Sequence, residues 1–282
     1  MKSEDLVRSI ERLESIPSPS FSLDRILELA SDCESDIDRL AEAIEADPAV
    51  TVRVLRLANS AYFGVPGQVD SVARAIVVVG YKNVLSLAAC AALAPAFQGE
   101  DAVLDRASLW LHSCAAAEAA RIVAAHTDRE PSIAHVAGLL HDFGLVVLSE
   151  VLGSRYAPIW DEALSGQKAL SDLEQNAFGL DHYGAAGVLF ERWELPPSLV
   201  TGVVLARRPD EDPTGIASIV TIAAGLASRA GLAGPSECEL GPAMQSSAER
   251  VLGLDEAALE KLYCELEERR EAIELIAGGG PS

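Results

Sequence analysis

The sequence has few basic residues. It contains 22 Lys and Arg against 43 Asp and Glu, which gives a formal net charge of −21 over 282 residues. No run of Lys or Arg is longer than two residues. Such an acidic surface repels a phosphate backbone. We therefore expect that nucleic acid is not a direct partner.

Cysteines and long apolar runs are also scarce. The five cysteines are widely separated and include no Cys-x-x-Cys pair, which favours reduced thiols in a cytosolic protein over a disulfide framework. The N-terminal stretch 1–16 is acidic and amphipathic and lacks the apolar segment of a signal peptide. The apolar run 84–97 is too short to span a bilayer and contains a proline. We expect a cytoplasmic protein with no membrane partner.

A convincing strand pattern is absent too, and apolar residues recur at helical spacing. The predicted fold class is therefore all-α. Asp47-Pro48 has the residues of a helix N-cap and first position, and Gly80 favours a helical end to the β-branched run before it. Ser171 and Glu174 have the spacing of a capping box. Further helices are predicted at 82–96, 104–126, 132–152, 154–166, 171–178, 182–193, 197–207, 214–231 and 255–276, loops at 59–67 and 231–244, and a disordered tail over 278–282.

The histidines are the main candidates for chemistry. His141 is followed by Asp142 within the apolar stretch AGLLHDFGLVVL (137–148), His112 lies mid-helix, and His182 begins a helix. Adjacent helical residues point about 100° apart, so the doublet faces one point only if the helix ends there, which Gly144 would allow. Imidazoles from two or three helices and one carboxylate suit a first-row divalent metal, which can activate water for phosphoester hydrolysis.

The same residues have non-functional interpretations. A His-Asp doublet often occurs by chance, and a histidine on an alanine-rich face, such as His112, can be a hydrogen-bonded core residue. His126 and His135 flank a predicted solvent loop and are assigned no role. The residue types and spacings alone leave both interpretations open.

Four separated blocks of sequence resemble the HDOD family, the HD-related output domains of bacterial signalling proteins. They are DPAVTVRVLRLANSAYFG (47–64), VDSVARAIVVVGYKNVLSL (69–87), AHVAGLLHDFGLVVL (134–148) and DHYGAAGVLFERWELPPSLVTGVV (181–204). The resemblance implies a two-lobed helical domain over 10–230, with an N-terminal lobe over 10–100 packed on an HD-phosphohydrolase-like lobe over 101–230. A C-terminal helical extension would occupy 231–282. The family is regarded as regulatory, has no established catalytic activity, and often occurs with cyclic-di-nucleotide signalling domains.

The resemblance also implies a metal pattern, from which this sequence departs. His112, His141, Asp142 and His182 match its ligands, as a candidate remnant site for iron, manganese or zinc. Where many relatives have a His-His pair, this chain has Arg207-Arg208, and Ala224-Gly225 occupies the region of a closing aspartate. A missing anionic ligand and two nearby cations would weaken metal binding.

These departures favour a non-catalytic signalling protein that acts through protein partners. We expect no cofactor, although a divalent metal remains an option. The alternative is a metal-dependent phosphohydrolase or phosphodiesterase in which Arg207 and Arg208 bind phosphate. A third option is a sensor that binds a small nucleotide without cleaving it. The last helix has near-heptad apolar spacing interrupted at Arg269, and we expect it to pack on its own lobe.

Overall fold

The structure is a computed structural model that describes residues 3–16, 25, 26, 28, 29, 36–60, 63–65, 67–99, 101, 103–166, 168–232 and 242–278. Throughout these ranges the regular structure is helical and contains no strand, which confirms the all-α prediction. The α-helices in chain order are α1 (Ser3–Glu11), α2 (Ile37–Glu45), α3 (Pro48–Ala58), α4 (Val72–Val79), α5 (Tyr81–Leu93), α6 (Arg106–His126), α7 (Pro131–Leu140), α8 (Phe143–Leu152), α9 (Ala157–Leu164), α10 (Leu170–Phe178), α11 (His182–Arg192), α12 (Pro197–Val204), α13 (Ile216–Arg229), α14 (Pro242–Leu252), α15 (Glu256–Glu267) and α16 (Arg270–Gly278). Short 3-10 turns occur at Ala94–Phe97, Gly153–Arg155 and Pro209–Glu211.

Local signals place several helix ends where the sequence predicts them. The Asp47 side chain accepts hydrogen bonds from the backbone N of Ala49 at 2.9 Å and of Val50 at 3.2 Å, and Pro48 opens α3. Gly80 has a φ of +97° between α4 and α5, a conformation that side-chain-bearing residues rarely adopt. The β-branched run before Gly80 is helical, as predicted.

Other predicted boundaries differ from the structure. The predicted helix 132–152 is two helices, α7 and α8, and the predicted helix 255–276 is divided into α15 and α16. The helix α14 begins inside the predicted loop 231–244, where Pro242 occupies the first helical position that suits proline. The rest of that loop over 233–241 and the predicted tail over 279–282 lie outside the described residues.

The long helix α6 lies at the centre of the fold. It packs against α7, α13, α15 and α16, and its alanines at 115, 116, 117, 119 and 120 are fully buried. These small side chains let neighbouring backbones approach closely. A Cβ at Gly138 of α7 would lie only 2.6 Å from the Ala116 carbonyl oxygen, so the α6–α7 contact requires glycine.

The remaining helices pack around this centre. The helices α2 to α5 contact one another, and α5 joins them to α7. The first helix, α1, packs on α8 and α11. The last two helices, α15 and α16, pack against α6. The lobe boundaries near 100 and 230 stay predictions.

One stretch, Pro131–Arg155, is long and apolar enough by composition to cross a membrane. Within the fold 83% of its most apolar window is buried, and the chain breaks into α7 and α8 at its middle. These features are typical of the core helices of a globular domain.

Candidate metal centre

The His-Asp doublet lies at the break between α7 and α8. His141 is the C-cap of α7 and Asp142 is the N-cap of α8, so the helix does end at the doublet. Gly144 has a different role from the predicted one, because it lies inside the first turn of α8. A Cβ at Gly144 would lie 1.7 Å from the carbonyl oxygen of His182, so glycine is needed for α8 to pack against the start of α11.

Three of the four predicted metal ligands converge in the core. The ligand atoms of His112, His141 and Asp142 all lie within 4.8 Å of one another. Asp142 Oδ2 is 3.8 Å from His112 Nε2 and 3.3 Å from His141 Nε2. The exposed fractions of the three residues are 1%, 3% and 0%. The helix therefore ends at the doublet, and His141 and Asp142 face the same point as His112.

Both imidazoles are held in the tautomer that presents Nε2 as an electron-pair donor. His112 Nδ1 is 2.8 Å from the carbonyl oxygen of Leu232, and His141 Nδ1 is 2.7 Å from that of Gly138. A carbonyl can only accept, so each Nδ1 carries the proton. Within the described part of the chain, neither Nε2 has a hydrogen-bond partner. A backbone carbonyl bound to the distal ring nitrogen is the usual support of a metal-ligating histidine.

The electrostatics of the group favour a cation. Burial and the nearby His141 imidazole lower the pKa of His112 to about 4, although Asp142 and the Leu232 carbonyl act in the opposite direction. His112 is therefore neutral at pH 7, and its Nε2 lone pair faces a carboxylate. A cation bound by the two imidazoles and the carboxylate would remove this repulsion. The residues present thus fit a divalent metal.

His182 belongs to a neighbouring buried group instead. It is not among the three residues whose ligand atoms converge. Its Nδ1 donates to Glu174 Oε2 at 2.6 Å, and its backbone N donates to the same oxygen at 2.9 Å. The Tyr156 hydroxyl donates to the other oxygen of Glu174. This carboxylate fixes the ring orientation of His182 at the start of α11.

The predicted capping box at Ser171 and Glu174 is wrong. The helix α10 begins at Leu170, and its N-cap, Ala169, makes no side-chain cap hydrogen bond. Glu174 is fully buried and accepts hydrogen bonds from His182, at the start of α11, and from Tyr156, which directly precedes α9. Sequence reasoning missed this role, since nothing local distinguishes Glu174 from a solvated glutamate.

The two arginines expected near the metal are engaged with acidic side chains. Arg207 pairs with Asp172 at 2.6 Å and with Asp181 at 3.4 Å, and Arg208 pairs with Glu211 at 3.0 Å. Both line a separate open cavity of about 510 Å³. Because their charges are matched by carboxylates, the expected repulsion of a metal by these arginines is much reduced.

The helix that would carry a closing aspartate supplies none. Ala224 and Gly225 lie in α13, which packs directly on α6, and Ala224 is buried. The sequence of α13 contains no carboxylate. In the described residues the group therefore has two nitrogen ligands and one carboxylate.

The protein is an all-helical domain with a buried His-Asp doublet at the break between two helices. The HDOD domain model matches residues 16–209, and the chain belongs to the HDOD family. This confirms the resemblance carried by the four sequence blocks. No curated protein matches the chain.

Solved structures share the fold over nearly the whole chain. An HDOD domain protein of unknown function from Geobacter sulfurreducens has a TM-score of 0.78 and 22% identity, with 97% of each chain covered. A protein from Shewanella amazonensis, provisionally named a phosphohydrolase, has a TM-score of 0.74 and 20% identity, with 98% of each chain covered. A protein from Marinobacter aquaeolei, provisionally named for signal transduction, has a TM-score of 0.79 and 24% identity, and the match covers 98% of this chain and 65% of that one. At these identities the likeness shows the fold.

Proposed function

We propose that this chain is a cytoplasmic bacterial regulatory domain that transmits a signal by binding other proteins and does not hydrolyse phosphoesters. The observation that carries the proposal is the burial of the whole His/Asp group. His112, His141 and Asp142 expose at most 3% of their surface, and His182 exposes none. A catalytic metal must keep a coordination position that substrate can reach, whereas these four side chains all lie in the core.

The group is better suited to a structural or regulatory ion. His112, His141 and Asp142 would hold iron, manganese or zinc, which supplies Lewis acidity when bound. The two helices α6 and α7 and the start of α8 would be tied together at that point. Binding of a ligand to the native state alone raises the free energy of unfolding, so an ion here would stabilise the core.

A surface feature of the N-terminal helices supports a protein partner. Of the seven large apolar residues that are exposed in the described part of the chain, four lie on α2, α3 and α4. They are Ile37, Val52, Val77 and Val78. These three helices contact one another, so the exposed side chains lie on neighbouring elements. If they form a contiguous patch, that patch is the surface we propose for a protein partner.

The experiment that tests the proposal combines metal analysis with an activity assay. Protein purified without chelator or affinity nickel is analysed for iron, manganese and zinc, and is then incubated with a chromogenic phosphodiester and manganese. We expect no turnover above the blank in the wild-type chain or in Asp142→Asn. The exposed Asp210→Asn is the matched control for the loss of one carboxylate.

Turnover that is present in the wild type and in Asp210→Asn but lost in Asp142→Asn would refute the proposal. That result would establish the alternative, a metal-dependent phosphohydrolase, which the convergence of His112, His141 and Asp142 favours. Calorimetry with cyclic di-nucleotides tests whether a small nucleotide is the signal. Heat of binding there would add a ligand to the regulatory function, whereas hydrolysis would replace that function.

A further inference from the structure

A second group of reactive side chains lies in a cavity of about 340 Å³ between α5, α6, α7 and α16. Cys90 of α5, Cys114 of α6 and His135 of α7 line it, and all three are more than nine-tenths buried. Ile273 and Ile276 of α16 contribute part of the apolar wall. The lining includes none of the His/Asp group, and sequence reasoning assigned these residues no role.

His135 is positioned to accept the Cys90 proton. Cys90 Sγ lies 3.6 Å from His135 Nε2, within hydrogen-bond distance for sulfur. His135 Nδ1 is buried and has no hydrogen-bond partner among the described residues. A proton on Nδ1 leaves Nε2 as the acceptor of the thiol proton. Buried polar atoms are usually hydrogen-bonded, so this nitrogen is available to a small polar molecule in the cavity.

The surroundings stabilise Cys90 as a thiolate. The neighbouring Cys114 side chain is the largest influence that lowers the pKa of Cys90 to about 6, and the hydrogen bond and charge of His135 act in the same direction, against the opposing effects of burial and of Glu118. Across the cavity, Glu118 pairs with Arg121 at 2.7 Å and with Arg269 at 2.9 Å. Glu118 raises the pKa of Cys90, but its effect is smaller than those of Cys114 and His135, because two guanidinium groups balance its charge.

We propose that Cys90 is a peroxide-reactive thiol whose oxidised form is captured by Cys114 as a disulfide. Cys90 transfers its proton to His135, and the thiolate attacks one peroxide oxygen. The O–O bond breaks, and the leaving oxygen takes the proton from His135, which yields sulfenic acid and water. The Cys114 thiol then attacks the sulfenic sulfur, and a second water leaves as the S–S bond forms.

The size of the cavity fits this chemistry. A water molecule occupies about 30 Å³ of liquid volume, so the cavity admits hydrogen peroxide together with several waters. The proposed step consumes one peroxide and two thiols and yields one disulfide and two waters, and it needs no metal. It is therefore independent of the proposed function of the His/Asp group.

The test is a site-resolved oxidation of the full chain by hydrogen peroxide at pH 6. The titratable or charged groups that face Cys90 are His135 on α7, Cys114 and Glu118 on α6, and Arg269 across the cavity. At pH 6 a much larger fraction of Cys90 is in the thiolate form than of a cysteine with the usual pKa. A thiolate of low pKa is, however, a weaker nucleophile. We expect Cys90 to react about tenfold faster than the exposed Cys264.

The products distinguish the two parts of the proposal. In the wild type we expect the mass to fall by two hydrogens, with a cross-linked peptide that contains Cys90 and Cys114. In Cys114→Ala we expect one added oxygen at Cys90 that dimedone traps, and in Cys90→Ala no oxidation of Cys114. In His135→Gln, Cys90 should react more slowly while Cys264 keeps its rate.

Oxidation of the wild-type chain tests the proposal even if the variants do not fold. If Cys264 is oxidised before Cys90, or Cys90 is not oxidised, the proposal is wrong. Oxidation of Cys90 that ends at the sulfenic acid in the wild type would refute the role of Cys114. An unchanged Cys90 rate in a His135→Gln protein with native circular dichroism would refute the role of His135.

Discussion

The contact between Gly144 and His182 gives the sharpest test of the fold around the doublet. In Gly144→Ala, the new Cβ would lie 1.7 Å from the His182 carbonyl oxygen, and ordinary van der Waals contact begins at 3.4 Å. The two backbones would therefore have to separate by about 1.7 Å. Both atoms belong to rigid segments, the first turn of α8 and the start of α11, so no side-chain rotation can relieve the overlap.

The expected cost is large despite the helix propensity of alanine. Overpacking of a buried site costs about 1–3 kcal/mol and more when the backbone must move, while Gly→Ala in a helix gains about 1 kcal/mol. Because both backbones must move here, we expect a gross cost of about 4 kcal/mol and a net loss of about 3 kcal/mol in the free energy of unfolding. Since a chain of this length has an unfolding entropy of about 0.6 kcal/mol/K, the melting temperature should fall by about 5 °C.

Calorimetry of Gly144→Ala beside Gly278→Ala makes the measurement. Gly278 is also helical, and nothing lies within 4 Å of a Cβ there, so its substitution should leave the melting temperature unchanged or slightly higher. A Gly144→Ala protein as stable as the Gly278→Ala protein would mean that α8 does not pack against α11 at this position.

Three further predictions concern buried polar groups. Glu174→Gln should lower the free energy of unfolding by about 2–4 kcal/mol, because the amide nitrogen replaces an acceptor that faces buried donors. The exposed Glu268→Gln should change it by no more than about 0.5 kcal/mol, and urea unfolding of both variants measures the difference. In metal-free protein, burial lowers the pKa of His112 to about 4, below its value in the unfolded chain. The free energy of unfolding should therefore fall by about 3 kcal/mol as the pH decreases from about 6.5 to 4. A His112→Gln protein whose stability has the same pH dependence would contradict this. Arg106 is buried and pairs with Asp101 at 3.0 Å and Glu150 at 2.6 Å, so Arg106→Met should lower the free energy of unfolding by about 3 kcal/mol. Arg208→Met, at an exposed pair, should change it by almost nothing. Equal shifts in melting temperature for the two variants would refute the distinction.

The sequence by itself determined the features that depend on neighbouring residues. The all-α class follows from the helical spacing of apolar residues. The start of α3 follows from the Asp47 cap and Pro48, and the end of α4 from the positive φ that Gly80 allows. The four HDOD blocks and the His-Asp doublet are likewise visible in the sequence, as is the lack of a carboxylate in α13. The sequence also identified His112 as a candidate ligand, although nothing local shows that it meets the doublet.

The tertiary structure decided which side chains meet. Packing of α6 against α7 brings His112 to the doublet across about thirty residues of chain and leaves His182 with Glu174 instead. It pairs Arg207 with Asp172 and Asp181, and it brings Cys90 to His135. The physical reason is range. Capping and periodicity act over one or two helical turns, whereas these contacts are set by close helix packing between segments that are distant in sequence.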